Sequence, residues 1–284
     1  MDKYAVIGWP VEHSVSPQMQ SAGIKELGLN AVYEKIPVQP HELGEAVSRL
    51  RQEYAGWNIT VPHKETILPH LDKVEEAAAR IGSVNTVVNE AGSLKGYSTD
   101  GYGLSAALSE SFGIHPLGTR FVFIGAGGAA RATAAYFAAN GAGKISIINR
   151  TRAKADAIAE LIRELEPGCR TQVAQPDEKP LLQSLMQETD VIIQATSLGL
   201  KNDDPLPLDL GLAAAGTPVY DMIYRATPFL TEAQKHGCPT ANGASMLLYQ
   251  GARSLELWTG REAPVEAMRQ ALYASLGAAR AKAS

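Results

Sequence analysis

Short apolar runs recur along the chain at intervals, separated by stretches in which apolar residues fall at helical spacing. Residues 4–7, 31–38, 56–60 and 84–89 read as strands, because β-branched and aromatic side chains cluster there between turn-forming residues. A helix is expected from Ser16-Pro17, with Ser16 as N-cap and Pro17 in the first helical position, where its missing N–H costs nothing. Such alternation predicts an α/β layer. A hairpin and a glycine-rich stretch (Gly92, Gly96, Gly101, Gly103) then lead into a helix near Asp100, a candidate hinge between two units. From residue 120 the alternation restarts more cleanly. Strands are expected at 120–124, 144–148, 171–174, 191–195 and 218–221, with an Ala-rich helix ending near 139 and another over 151–164. Strand–helix units of about 25–30 residues predict a parallel, doubly wound sheet. Two closing helices, 245–258 and 264–281, bring no strand and must pack back on one of the two units.

With 284 residues, 45% of them hydrophobic and 20% charged, the chain is ordinary for a globular protein of about two domains. Its 26 basic against 30 acidic residues leave a net charge of −4, so the basic footprint of a nucleic-acid binder is missing. Neither a membrane-spanning run nor a secretory leader is visible. Cys169 and Cys238 are far apart, and the six histidines form no H-x-x-x-H pair, so neither a disulfide scaffold nor a metal site is expected. A cytoplasmic location follows as an expectation.

The best-placed motif is Gly125-Ala126-Gly127-Gly128-Ala129-Ala130-Arg131-Ala132, between a strand and a helix. Small residues there let backbone N–H groups approach a pyrophosphate, and the helix N-terminus adds partial positive charge. Ala130 takes the third glycine position of G-x-G-x-x-G, an accepted variant. After the next strand, where an NAD site carries an acid for the ribose 2′-hydroxyl, the chain has Asn149-Arg150-Thr151-Arg152, with Lys154 beyond. A guanidinium can bind a 2′-phosphate that a carboxylate would repel. NADP is therefore expected rather than NAD.

In the first unit, polar residues gather where strands end. Ser14 and Ser16 stand one residue apart before a helix, a pair of hydroxyl donors suited to a small carboxylate. Asn58 and Thr60 lead through Pro62 into an expected helix bearing Lys64, and Ser98-Thr99-Asp100 follows the hairpin. A lysine and an aspartate beside a separate NADP unit suit the reversible oxidation of a secondary alcohol, which moves a hydride at carbon and a proton at oxygen. The residues alone reach an NADP-dependent oxidoreductase acting on a small, polar, anionic substrate.

Nine motifs in order make the chain similar to the shikimate dehydrogenases. They are G-W-P-V-E-H-S-V-S-P from Gly8, N-I-T-V-P-H-K from Asn58, G-S-V-N-T-V from Gly82, S-T-D-G-Y-G from Ser98, G-A-G-G-A-A-R-A from Gly125, N-R-T from Asn149, A-T-S-L-G from Ala195, Y-D-M-I-Y from Tyr220 and N-G-A-S-M-L-L-Y-Q-G-A from Asn242. The resemblance implies an N-terminal α/β substrate domain, residues 1–101 completed by helices of 242–284, and a Rossmann-type NADP domain over 102–241. It implies reversible reduction of 3-dehydroshikimate to shikimate, a step toward the aromatic amino acids, by a monomer or homodimer. Lys64 and Asp100 fall on the catalytic pair, and Ser14 and Ser16 on the substrate carboxylate site. Thr60, Asn85 and Gln250 fall on positions that contact ring hydroxyls, and Tyr224 lies close to the substrate. Met222 and Gly243 match positions near the nicotinamide, Glu76 an acidic position near the cofactor, and Thr196 and Ser197 belong to a cofactor-side loop. One departure is Ser98, where the family commonly has Asn. Relatives that use quinate, often with NAD, alter a hydroxyl-contacting residue, so a quinate or bifunctional enzyme ranks second. A non-catalytic NADP-binding regulator is disfavoured because both Lys64 and Asp100 are retained.

Overall fold

The computed structural model describes residues 1–201 and 203–283, and side chains as far as residue 278. Its contacts divide into two compact units: Met1–Gly103 together with the chain from Leu248 onward, and Leu104–Leu247.

The first unit is built from β1 (Asp2–Gly8), α1 (Ser16–Glu26), β2 (Ala31–Pro37), α2 (Leu43–Glu53), β3 (Gly56–Ile59), β4 (Lys73–Val74), α3 (Glu76–Ile81), β5 (Thr86–Glu90), β6 (Ser93–Tyr97) and the start of α4 (Asp100–Phe112). Its sheet runs β2-β1-β3-β5-β6-β4. β1 is parallel to β2 and β3, whereas the β5–β6 hairpin is antiparallel to β3. One edge of this mixed sheet therefore gathers the C-terminal ends of β1, β3 and β6 and the N-terminal end of β5. Trp57, Leu50, Ile67 and Leu94 fill the core on the α2 side.

The four glycines that suggested a hinge serve separate purposes. Gly92 turns the hairpin at a φ of +93°. Gly96 lies within β6, where a Cβ would meet Leu71 Cδ1 at 2.6 Å. Gly101 and Gly103 lie within α4. Two expected helix starts also differ. Ser16 is the first residue of α1 rather than its cap, because the Ser14 hydroxyl accepts from the Ser16 N–H at 3.3 Å and turns the chain one residue earlier. Lys64 lies in a run of turns instead of a helix. His63 and Ile67 make bonds back to Thr60 and His63, but Pro62 and Pro69 lack the N–H that an extended helix would use.

The closing helices α9 (Ala244–Thr259) and α10 (Val265–Ala283) return to this sheet, α9 from Leu248 onward. Trp258 stacks on Tyr4 with ring centroids 4.8 Å apart and donates to the Val87 carbonyl at 2.9 Å. Gly23 makes room for both helices: a Cβ there would meet Leu255 Cδ2 at 2.7 Å and Met268 Cγ at 3.1 Å.

The second unit contains β7 (Arg120–Ile124), α5 (Gly128–Ala139), β8 (Lys144–Ile148), α6 (Arg152–Leu165), β9 (Arg170–Ala174), α7 (Lys179–Gln187), β10 (Val191–Gln194), β11 (Val219–Asp221), α8 (Pro228–Lys235) and β12 (Thr240–Asn242). Its order, β12-β11-β10-β7-β8-β9, is parallel throughout. Strands covered on both faces must be apolar along their whole length, which is why RFVFI and VIIQ carry no alternation. Counted from β7, the order is 3-2-1-4-5-6 reversed, the doubly wound arrangement whose switch point lies between β7 and β10. Buried Ala130, Ala132, Ala134, Ala135 and Ala138 let α5 lie close on the sheet.

Candidate active site

Lys64, Asn85, Thr99 and Asp100 meet at the sheet edge where β3, β5 and β6 converge. The hairpin register, Thr86 opposite both Asn58 and Tyr97, places Asn85 just before β5 beside the residues that follow β6. Asp100 opens α4. Lys64 Nζ lies 2.5 Å from Asp100 Oδ2, with side chains only 20% and 5% exposed, respectively. Asn85 donates through Nδ2 to Asp100 Oδ1 at 2.8 Å, so each carboxylate oxygen has its own donor. The same amide nitrogen contacts Thr99 Oγ1 at 2.9 Å and Gln250 Oε1 at 3.3 Å, which brings α9 into the cluster. Water is largely displaced here, so the ammonium–carboxylate attraction is stronger than on an open surface.

Ser14, Ser16 and Thr60 follow the C-terminal ends of the neighbouring strands β1 and β3. Thr60 N–H donates to the Ile7 carbonyl, which fixes its backbone, while its hydroxyl and that of Ser16 have no partner among the described residues. Both remain available to a ligand. Glu76, in the first turn of α3, is exposed in this same unit.

Several participants were given no site role by the sequence, although Asn58, Thr86 and Thr99 lie inside its motifs. Thr99, Thr86, Asn58, Ser254 and Tyr33 form a buried polar network behind Asn85. Their legible signal was local: polar residues on strand-like segments flanked by apolar ones.

In the second unit the glycine loop crosses from β7 to α5. Gly125 has a φ of +109°, and a Cβ there would meet Thr196 Cγ2 at 2.8 Å. The loops after β7 and β10 thus touch at the switch point. Gly127 is exposed with open space where a side chain would be, and as N-cap it offers no side chain to the first turn of α5. Ala126, Gly128 and Ala129 are part-exposed beside it. Such a cradle of free backbone at a helix N-terminus fits a pyrophosphate.

At the end of β8, Asn149 donates to the Thr151 carbonyl at 2.8 Å, and Thr151 is the N-cap of α6. The side chains of Arg150 and Lys154 are exposed and have no partner among the described residues. Arg152 instead faces Glu178 at 3.4 Å and Asp156 at 3.8 Å. The free cations, in place of an acid, fit a 2′-phosphate.

Beyond β10 and β11, Thr196 N–H donates to the Gln194 side chain and Ser197 is exposed. Gly243 packs so closely on the Met222 backbone that a Cβ would meet Met222 O at 2.0 Å. Tyr224, 38% exposed, lies in this unit and not with the other expected substrate contacts. Among the described residues no cluster of His, Cys, Asp and Glu could hold a metal, and no helix is long and apolar enough to cross a membrane.

A doubly wound sheet with a glycine cradle, joined to an α/β unit carrying a lysine–aspartate pair, defines the class of nucleotide-dependent oxidoreductases. Comparison with known proteins narrows this. Residues 6–87 match the shikimate dehydrogenase substrate binding domain, 109–200 the shikimate/quinate 5-dehydrogenase family and 243–273 the shikimate 5′-dehydrogenase C-terminal domain. The NADP(+) shikimate dehydrogenase of Desulfitobacterium hafniense is 44% identical over 277 residues, covering 96% of this chain and 98% of its own. That of Moorella thermoacetica is 42% identical over 280 residues, with 96% and 93% covered. The Thermus thermophilus shikimate 5-dehydrogenase, solved with NADP(H) and shikimate, superposes with a TM-score of 0.85 at 35% identity, with 97% and 100% covered. The chain belongs to the shikimate dehydrogenase family.

Proposed function

We propose that this protein catalyses the reversible, NADP-dependent reduction of 3-dehydroshikimate to shikimate. The observation that carries the reading is the Lys64–Asp100 pair at 2.5 Å, with Asn85 on the second carboxylate oxygen. The unit completed by α9 and α10 is the substrate domain and the doubly wound unit holds NADP. The enzyme acts in the cytoplasm as a monomer or homodimer.

Hydroxyls of Ser14 and Ser16 donate to the substrate carboxylate, and Thr60, Asn85 and Gln250 hold the ring hydroxyls. These contacts place the keto oxygen at Lys64, whose ammonium has two N–H donors besides the one on Asp100. Lys64 Nζ gives a proton to that oxygen as it becomes a hydroxyl and takes it back in the reverse direction. Asp100 keeps the ammonium aimed and stabilises its positive charge, before the proton leaves in the reduction and once it has been taken up in the reverse direction. Gly125, Ala126, Gly127, Gly128 and Ala129 hold the pyrophosphate. Arg150 and Lys154 bind the 2′-phosphate, with Asn149, Thr151 and Arg152 shaping that loop. Thr196, Ser197, Met222 and Gly243 border the nicotinamide, with Tyr224 near the substrate and Glu76 near the cofactor. When bound, NADPH supplies the hydride.

The test is steady-state NADPH consumption by the purified protein with 3-dehydroshikimate, compared with NADH, and in reverse with shikimate against quinate. Turnover favouring NADPH and shikimate is expected. Cofactor binding without any substrate-dependent consumption would reject the reading in favour of a regulator.

A further inference from the structure

Asn85 can serve Asp100 only if its amide presents nitrogen, and not oxygen, to the carboxylate. Two backbone groups of fixed polarity determine which way the neighbouring amides point. The Thr99 N–H lies 2.8 Å from one atom of the Asn85 amide, which must therefore be Oδ1. The Asn85 carbonyl lies 3.2 Å from one atom of the Asn58 amide, which must be Nδ2. Tyr33 OH then donates to Asn58 Oδ1 at 2.7 Å.

Between the two amides stands the hydroxyl of Thr86, fully buried in the strand pair where Thr86 lies directly opposite Asn58. It is 3.2 Å from Asn58 Nδ2 and 3.1 Å from Asn85 Oδ1. Asn58 Nδ2 can donate to it, and its own proton can go to Asn85 Oδ1 or to Ser254 Oγ, whose proton has the Gln250 carbonyl at 2.9 Å. Ser254 Oγ, at 2.8 Å from Thr86 and 2.9 Å from Asn58 Nδ2, closes the network from α9. These polarities allow one path of donors from Tyr33 through Asn58 and Thr86 to Asn85, ending on Asp100.

A buried strand position of this shape suits valine as well as threonine, and an unused hydroxyl there would cost desolvation. We propose that Thr86 is a positioning residue: its hydroxyl joins the Thr99 N–H in donating to Asn85 Oδ1 and so holds the Asn85 amide nitrogen on Asp100. This rests on the reading that Lys64 and Asp100 act in turnover, and it adds a residue that touches neither substrate nor cofactor.

The test compares Thr86→Val, which removes the hydroxyl and keeps the shape, with Thr86→Ser, which keeps the hydroxyl and loses a methyl. Thr86→Val is expected to lower kcat about tenfold, the order expected from one lost hydrogen bond beside a charged group. The KM for NADPH should stay within about twofold, and Thr86→Ser should recover most of the rate. Independently of activity, hydrogen exchange of the Asn85 side-chain amide, followed by ¹⁵N NMR and assigned by its loss in Asn85→Asp, should quicken about tenfold in Thr86→Val only. Unchanged amide exchange in Thr86→Val, or a Thr86→Ser protein as loose as the valine variant, would overturn the proposal. Because exchange is read without substrate, that outcome is separate from a wild-type protein that fails to turn over 3-dehydroshikimate.

Discussion

Lys64 Nζ and Asp100 Oδ2, 36 positions apart in the chain, lie 2.5 Å apart with the carboxylate almost wholly shielded from solvent. The lysine comes from the turns after β3 and the aspartate from the first residue of α4. They meet because the β5–β6 hairpin folds antiparallel to β3 and delivers α4 to the end where β3 stops.

Removing the ammonium from this pair should abolish proton transfer, while Asp100 keeps its bond from Asn85. Lys64→Ala is expected to lower kcat about 10²–10⁴-fold, the range for a lost acid–base group, with NADPH binding retained. Steady-state rates together with a direct cofactor titration check both halves. A kcat near wild type would show that another donor protonates the keto oxygen.

Arg150 carries the cofactor preference. Its guanidinium stands free at the end of β8, whereas Arg152 is shared with Glu178 and Asp156. Arg150→Asp is expected to raise the KM for NADP at least tenfold and to leave that for NAD nearly unchanged, because only the former carries the phosphate that the new carboxylate repels. Equal losses for both cofactors would remove the 2′-phosphate role. Arg152→Ala should have the smaller effect.

Most strands and the parallel order of the second unit were legible because buried parallel strands announce themselves as apolar runs, as in residues 120–124 and 191–194. β4 and β12, two and three residues long and only partly buried, left no such trace. Helices α7 and α8 went unread although their signals exist: Leu182, Leu185 and Met186 at helical spacing, and Thr227 capping Leu230 N–H ahead of Pro228. For the site, Lys64 and Asp100 were legible as motif residues. Their support by Thr86, Asn58 and Ser254 was not, because it depends on strand register and on a helix returning from 196 residues away.

That returning helix makes the site sensitive to a position outside it. A Cβ on Gly56 would meet Trp258 Nε1 at 2.4 Å and Val87 O at 2.7 Å, and Trp258 already bonds that carbonyl. Gly56→Ala should push α9 off β3, costing about 1–3 kcal/mol as overpacking does. It should also lower kcat, since Gln250 and Ser254 ride on the same helix. Trp258→Phe, which removes the indole nitrogen from the clash in the double variant and leaves only the Val87 carbonyl and the ring edge against the new Cβ, should recover part of both. Thermal unfolding and kcat measured on the three variants check the coupling, and a loss of stability with kcat unchanged would show that α9 shifts without disturbing the site.

Asp221 ends β11 fully buried, and burial pushes its carboxyl up to about 6, against the opposing pull of the Ile223 N–H, Thr227 and Gln194 donors. Ile223 N–H and Thr227 Oγ1 lie 2.9 and 2.7 Å away, bracketing the loop that carries Met222 and Tyr224. Because the folded-state value lies above the ordinary 3.8, the folded chain holds this proton more tightly than the unfolded one. The group therefore favours folding fully below about pH 4, and that advantage is lost as pH rises through about 6. Roughly two pH units correspond to a change on the order of 3 kcal/mol. Asp221→Asn keeps the acceptor for Ile223 N–H and cannot ionise, so the stability of the variant minus that of wild type should grow by that order between pH 4 and 7. The other carboxylates titrate alike in both proteins and cancel from the difference. Thermal unfolding of the two full-length chains across this range makes the measurement; a difference that stays flat with pH would mean that Asp221 does not take up its proton in this window.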